Sequence, residues 1–258
     1  MGGGAVWYGS EPNARWLGRK KRDPSRGSPR SFAAQKTLAQ DDKSNRTTTQ
    51  ESGAIIADRA EAFMAKRILL AGVLGGIAMF LWSSVAHLVL PLAETGVQEI
   101  PNEPAVLGPM NSQLGASSGL YVFPGMGLGP EATRQQKSAA MQQYEQKLAS
   151  NPSGLLIYHP PGAKALTPGQ LGTEFLTEFL EALLVAFLLA QTRIPSFASR
   201  VGFVTLAGVM AAITTNIPYW NWYGFPANYT AAYMTMEIVG YLVAGLVIAA
   251  VVKTQARL

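Results

Sequence analysis

No cysteine occurs among the 258 residues, which excludes disulfides, thiolate metal sites and cysteine nucleophiles. Histidine is almost as scarce, with only His87 and His159, so a bis-histidine haem pair inside one membrane bundle is not expected. The chain also lacks a P-loop, a Rossmann glycine pattern, a GxSxG elbow and an HExxH helix. Nothing therefore points to a catalytic residue, a cofactor or an enzyme. The formal charge of +5 suggests acidic partners at first sight. Its distribution removes the suggestion, because residues 1–63 carry eleven Lys and Arg against seven Asp and Glu and the remainder is nearly balanced.

Residues 1–63 lack a sustained apolar period and are rich in Gly, Ser, Pro, Arg and Gln. Such a segment buries too little surface to offset its ordering entropy, so a disordered basic leader is expected there. Its GRKKR run (18–22) is too short and too common a pattern to imply a nucleic-acid partner. The acids at 41, 42, 51, 58 and 61 argue against an organellar transit peptide. Met64 precedes AKRILLAGVLGG, a basic flank leading into an apolar helix, and Met64 is the expected true start.

Four apolar stretches follow: Ile68–Leu90, then about Leu171–Gln191, Arg200–Ile217 and Tyr229–Val252. At about 1.5 Å per residue, twenty or so helical residues cross a hydrocarbon core of about 30 Å. The expected fold is an all-α membrane protein of four transmembrane helices, with a small α+β extracytoplasmic segment between helices 1 and 2. Its divisions are the leader (1–63), helix 1 (64–91), the outer segment (92–169) and helices 2–4 (170–258). Helix 1 is not read as a cleaved signal peptide, because its apolar run continues past Ser84-Val85-Ala86 through Leu90. Lys66, Arg67, Arg193, Arg200, Lys253 and Arg257 flank one set of helix ends, whereas PYWNWYGFPANY (218–229) is uncharged. Cationic flanks stay inside, so both termini and the 192–200 loop are expected in the cytoplasm, with residues 91–169 and 218–228 outside. Trp220, Trp222 and Tyr223 then suit an interfacial aromatic belt.

In the outer segment, SGLYVFPG (118–125) and SGLLIYHPPG (153–162) each read as Ser-Gly, a short strand and a turn. Residues 130–150 between them read as a helix, giving either a βαβ-like unit or an antiparallel pair capped by a helix.

The acidic side chains carry the chemistry. In GTEFLTEFLEALLVAFLLAQTR (172–193), Glu174, Glu178 and Glu181 are spaced by four and three, which puts them on one helical face. Glu237 and Tyr233 share a face of the fourth helix, Asn216 lies near the outer end of the third, and His87 near that of the first. A charged side chain at the centre of a membrane helix costs about 2.5–3.5 kcal/mol on insertion scales, so these groups should face the bundle interior. Glu178, Glu181, Glu237, His87, Tyr233 and Asn216 are thus expected around one outward-opening polar chamber, as candidate ion or proton sites. For Glu174 an interfacial, solvated position is expected. The ligand types would suit a metal, but no ExxH spacing supports one, so no metal is expected. Gly72, Gly76, Gly240 and Gly245 are read as small-residue contacts for close helix packing.

MFLWSSVAHLVLPLAETG (79–96), GLYVFPG (119–125) and GLLIYHPPG (154–162) resemble a group of bacterial four-helix inner-membrane proteins with no established activity. That resemblance covers residues from about 64 onward and implies a multi-pass protein of the bacterial inner membrane. Two functions compete. One is an accessory protein whose glutamate stripe meets a membrane-protein partner or a second copy, with membrane lipid as the common surroundings. The other is a small proton- or cation-coupled carrier using the glutamate cluster.

Overall fold

The structure, a computed structural model, describes residues 29–253. The GRKKR run and Arg257 lie outside the described residues. The chain divides into two units, Met1–Arg59 and Ala60–Leu258. In the first, residues from Pro29 onward are helical and form the start of α1 (Pro29–Leu88). The described part of the expected leader is therefore a helix. Ala, Gln, Lys and Glu favour it locally, and Arg46 pairs with Asp42 one turn away at 2.9 Å.

The second unit contains the rest of α1, then α2 (Glu103–Leu114), β1 (Gly119–Phe123), α3 (Arg134–Ser150), β2 (Gly154–Tyr158), α4 (Pro168–Ala190), α5 (Phe197–Tyr223) and α6 (Ala227–Val251). Three helices among the described residues are long and apolar enough to cross a membrane: α1 over Gln40–Leu88, α5 and α6. The 23-residue α4 has the length but carries Glu174, Glu178 and Glu181, so length and composition alone do not mark it as a span. Short connections at 191–196 and 224–226 make α4, α5 and α6 antiparallel neighbours. Consequently α1 and α5 finish, and α4 and α6 begin, at the end of the bundle that carries residues 89–167.

Glycines set how closely the helices approach. A Cβ on Gly76 would stand 2.7 Å from the Phe179 Cα, and one on Gly72 2.9 Å from the Leu183 Cβ, so α1 lies directly on the α4 backbone. Gly245 meets Val204 on α5 in the same way, at 3.2 Å. Gly240 is different: its nearest neighbour is the Trp82 ring at 3.4 Å, ordinary contact, so it does not enforce a close crossing. Gly208, which sequence patterning overlooked, is the tightest of all, pressed against the Tyr241 side chain. Away from the loop-bearing end, Ala182, Val185, Ala186, Leu189, Val204 and Ile248 fill the interior almost without exposure.

The two strands pair antiparallel, from Gly119↔Tyr158 to Phe123↔Gly154, so the βαβ alternative is set aside. Lys147 of α3 donates to the Gly125 carbonyl at 3.0 Å. The Tyr158 hydroxyl donates to the Gly115 carbonyl at 3.0 Å, tying β2 to the end of α2. The helix α2 was not expected. Pro104 in its first turn, following Asn102, was the available signal.

The 218–228 loop also needs correction. α5 runs through Pro218 to Tyr223 and ends at Gly224, whose φ of 71° suits glycine at a helix end. Proline removes one backbone donor but leaves the following turns intact. Trp220, Trp222 and Tyr223 therefore stand on the last turns of a helix, all exposed.

Candidate functional site

One cavity of about 460 Å³ opens between α1, α4, α5 and α6 at the loop-bearing end. From α1 it is lined by Met79, Trp82, Ser83 and His87, and from α4 by Glu174, Thr177, Glu178 and Glu181. α5 contributes Thr215 and Asn216; α6 contributes Tyr233, Met236, Glu237 and Gly240. All six residues singled out as ion or proton candidates thus line one space. Glu174, expected in solvent, stands exposed at its mouth.

Local sequence explains the placement. Thr167 and Gln170 form a capping box with Pro168 in the first turn, which starts α4 before its first glutamate. From there the 4–3 spacing turns Glu174, Glu178 and Glu181 toward α1 and α6, over about 10.5 Å of helix rise. Beyond them the same helix buries Val185 and Leu189, so the cavity ends blindly in the apolar core.

The polar groups are only partly satisfied. Asn216 Nδ2 donates to Glu237 Oε2 at 3.2 Å and to its own helix at the Ala212 carbonyl, 3.0 Å away. Glu181 faces the Tyr241 phenol, which is buried at the floor. Glu178 is only 8 % exposed. Ser83 stands opposite its carboxyl, yet Oε2 meets no hydrogen-bond donor. Among the described residues no Lys or Arg forms an ion pair with Glu174, Glu178, Glu181 or Glu237.

His87 Nδ1 lies 2.9 Å from the Ser83 carbonyl oxygen. A carbonyl only accepts, so Nδ1 carries the hydrogen of that contact. The imidazole meets Tyr233 edge-on at 6.3 Å, and Tyr233 stacks on Tyr229 at 4.3 Å. Trp82 Nε1 donates to the Met236 carbonyl at 2.8 Å, pinning α1 to α6 across the cavity wall. No group of three His, Asp or Glu side chains among the described residues is placed to hold one metal ion.

No family model, curated protein or solved structure matches the chain. The site is therefore argued from its own chemistry.

Trp82 and Tyr241 were missed by sequence reasoning. Tyr241 lies one turn beyond Glu237, on the same stripe, so its spacing was a usable signal. For Trp82 the only signal was an indole whose N–H needs a partner once buried. Arg200 was counted merely as a flanking charge. It is 7 % exposed, and its guanidinium donates to the Ala249 carbonyl at 3.2 and 3.3 Å and to the Pro195 carbonyl at 2.6 Å. Ala249 lies in the last turn of α6, where carbonyls lack helical donors, so Arg200 caps that helix far from the cavity.

Proposed function

We propose that this chain is a four-span integral membrane protein, α4 being the fourth span, that acts as an accessory, partner-binding subunit. Its acidic chamber opens outside the membrane and receives a cationic group there. The observation that carries this reading is the set of four glutamates around one blind cavity, with no ion pair to any of them among the described residues. Buried carboxylates left unpaired are costly, and spanning segments keep such groups for partners, ions or protons.

Cationic flanks at Lys66, Arg67, Arg193 and Lys253 support an orientation with the opposite end of the bundle in the cytoplasm. The exposed Trp220 and Trp222 at the loop-bearing end suit the outer membrane–water interface. The resemblance of residues 79–96, 119–125 and 154–162 to bacterial inner-membrane proteins supports that membrane as the setting.

A proton- or cation-coupled carrier would use the same glutamates but needs a continuous path. Ala182, Val185, Leu189 and Ile248, buried beneath the cavity, favour the accessory reading over the carrier. The test is gradient-driven proton and cation flux in proteoliposomes holding the full chain, beside Glu181→Gln and Glu237→Gln. We expect no flux above protein-free liposomes. Flux abolished by either substitution would make the protein a carrier.

A further inference from the structure

We infer that the cationic group this chamber takes is a primary ammonium on an unbranched aliphatic stem, either a lysine side chain of a partner or a free alkylamine. The inference rests on the reading of the chamber as a cation receiver and names the chemistry of its guest. It starts from Glu178, which lines the cavity though only 8 % exposed, and whose Oε2 has no donor. A guest must bring at least one hydrogen to that atom.

Three features select among cations. First, the carboxylates are not gathered around a point: Glu174 to Glu181 spans about 10.5 Å along α4, and no three acidic or imidazole groups among the described residues converge on one ion position. A bare divalent ion needs several oxygens closing on it at once, which this arrangement does not offer. An ammonium asks for less, because one carboxylate can take one of its hydrogens while water takes the others. Glu178 and Glu181 of α4 and Glu237 of α6 offer such single acceptors on two walls.

Second, the remaining wall is soft and apolar. Met79, Met236 and Trp82 stand beside the acids on α1 and α6. A methylene stem packs against thioethers and an indole face, and an ammonium gains further attraction over an aromatic ring. A hydrated inorganic cation has no use for such a wall.

Third, the chamber has the shape of a slot with acceptors at both levels. Its floor lies at Glu181, with Tyr241 buried behind it, and its mouth at Glu174 and His87. A slender stem reaches the floor, and an aliphatic diamine can satisfy floor and mouth together. Guanidinium prefers both oxygens of one carboxylate, whereas here Ser83 stands at the Glu178 carboxyl, whose Oε2 is the oxygen without a donor, and Asn216 already donates to Glu237 Oε2.

The test is calorimetric titration of the full chain in nanodiscs with putrescine, butylamine, ethylguanidinium, calcium and sodium, and with a short lysine peptide beside its norleucine counterpart. We expect putrescine and the lysine peptide to bind and compete with each other. Glu178→Gln should weaken both by at least about tenfold, while Glu131→Gln, in the outer segment, leaves them unchanged. Thermal unfolding of Glu178→Gln, with Glu181→Gln as a second variant, checks that lost binding is not lost folding. Binding by the peptide alone, or by the free amines alone, supports the shared chemistry and identifies its source. If calcium or ethylguanidinium binds in a Glu178-dependent manner and the alkylamines do not, this inference is overturned and the cation-receiving reading stands. If none of these cations binds, both are overturned.

Discussion

Glu178 concentrates the tension in this molecule. A carboxylate with one oxygen lacking any donor, on a side chain only 8 % exposed, is the kind of group a protein keeps for something other than stability. Replacing it with the isosteric amide removes the charge and preserves the shape. Glu178→Gln is therefore expected to raise the thermal stability of the unliganded protein, by about 1–3 kcal/mol. A drop in its unfolding temperature would mean that the carboxylate is a structural partner after all. Arg200 carries the opposite expectation. Its guanidinium satisfies carbonyls at the end of α6 and in the loop before α5, so Arg200→Leu leaves them without donors. A loss of about 2–3 kcal/mol is expected, measurable by the same thermal scan, and an unchanged midpoint would contradict the capping role.

At the scale of elements, helix contact is decided by where a methyl group cannot go. Gly76 has no room for a Cβ against the α4 backbone, while Gly202 on α5 has nothing within 4 Å. Gly76→Ala should cost about 1–3 kcal/mol through forced separation of α1 and α4. Gly202→Ala should be neutral or stabilising by up to about 1 kcal/mol from helix propensity. Equal effects of the two substitutions in a thermal unfolding series would refute this account of the α1–α4 contact. The elements that sequence made legible are those with a strong physical signature. Long apolar periods marked α1, α5 and α6, the 4–3 spacing of acids marked the inner face of α4, and paired Ser-Gly strands marked β1 and β2. What escaped was set by tertiary context. Gly208 and Tyr241 fit each other across the α5–α6 contact, and the register of that contact is not written in either helix alone. The extension of α5 past Pro218 depends on turns that continue without its one missing donor, and α2 has little beyond Pro104 in its first turn to announce it. The chamber was legible residue by residue because turning His87, Glu178, Glu181 and Glu237 toward the bundle interior spares them all an apolar surrounding. Its blind end was partly legible too, in the apolar run after Glu181.

At the scale of the whole molecule, the function proposed above requires α1, α4, α5 and α6 to enclose water from one side of a membrane only. The cysteine-free chain makes this directly testable, because any introduced thiol is the only one present. Ser138→Cys on the exposed face of α3 and Gln191→Cys beyond the end of α4 should react with a membrane-impermeant maleimide from opposite sides, the first from outside and the second only after the cells are opened. The most direct measurement extends that scheme into the bilayer. Glu181→Cys and Glu237→Cys would be treated with a small, charged, membrane-impermeant thiol reagent added to one side at a time, with Leu184→Cys on the exposed outer surface of α4 as the lipid-facing control. The account predicts modification of positions 181 and 237 from the outer side alone, and none at 184 from either side. Modification from the cytoplasmic side, or none at 181 and 237 from outside, would contradict the one-ended chamber.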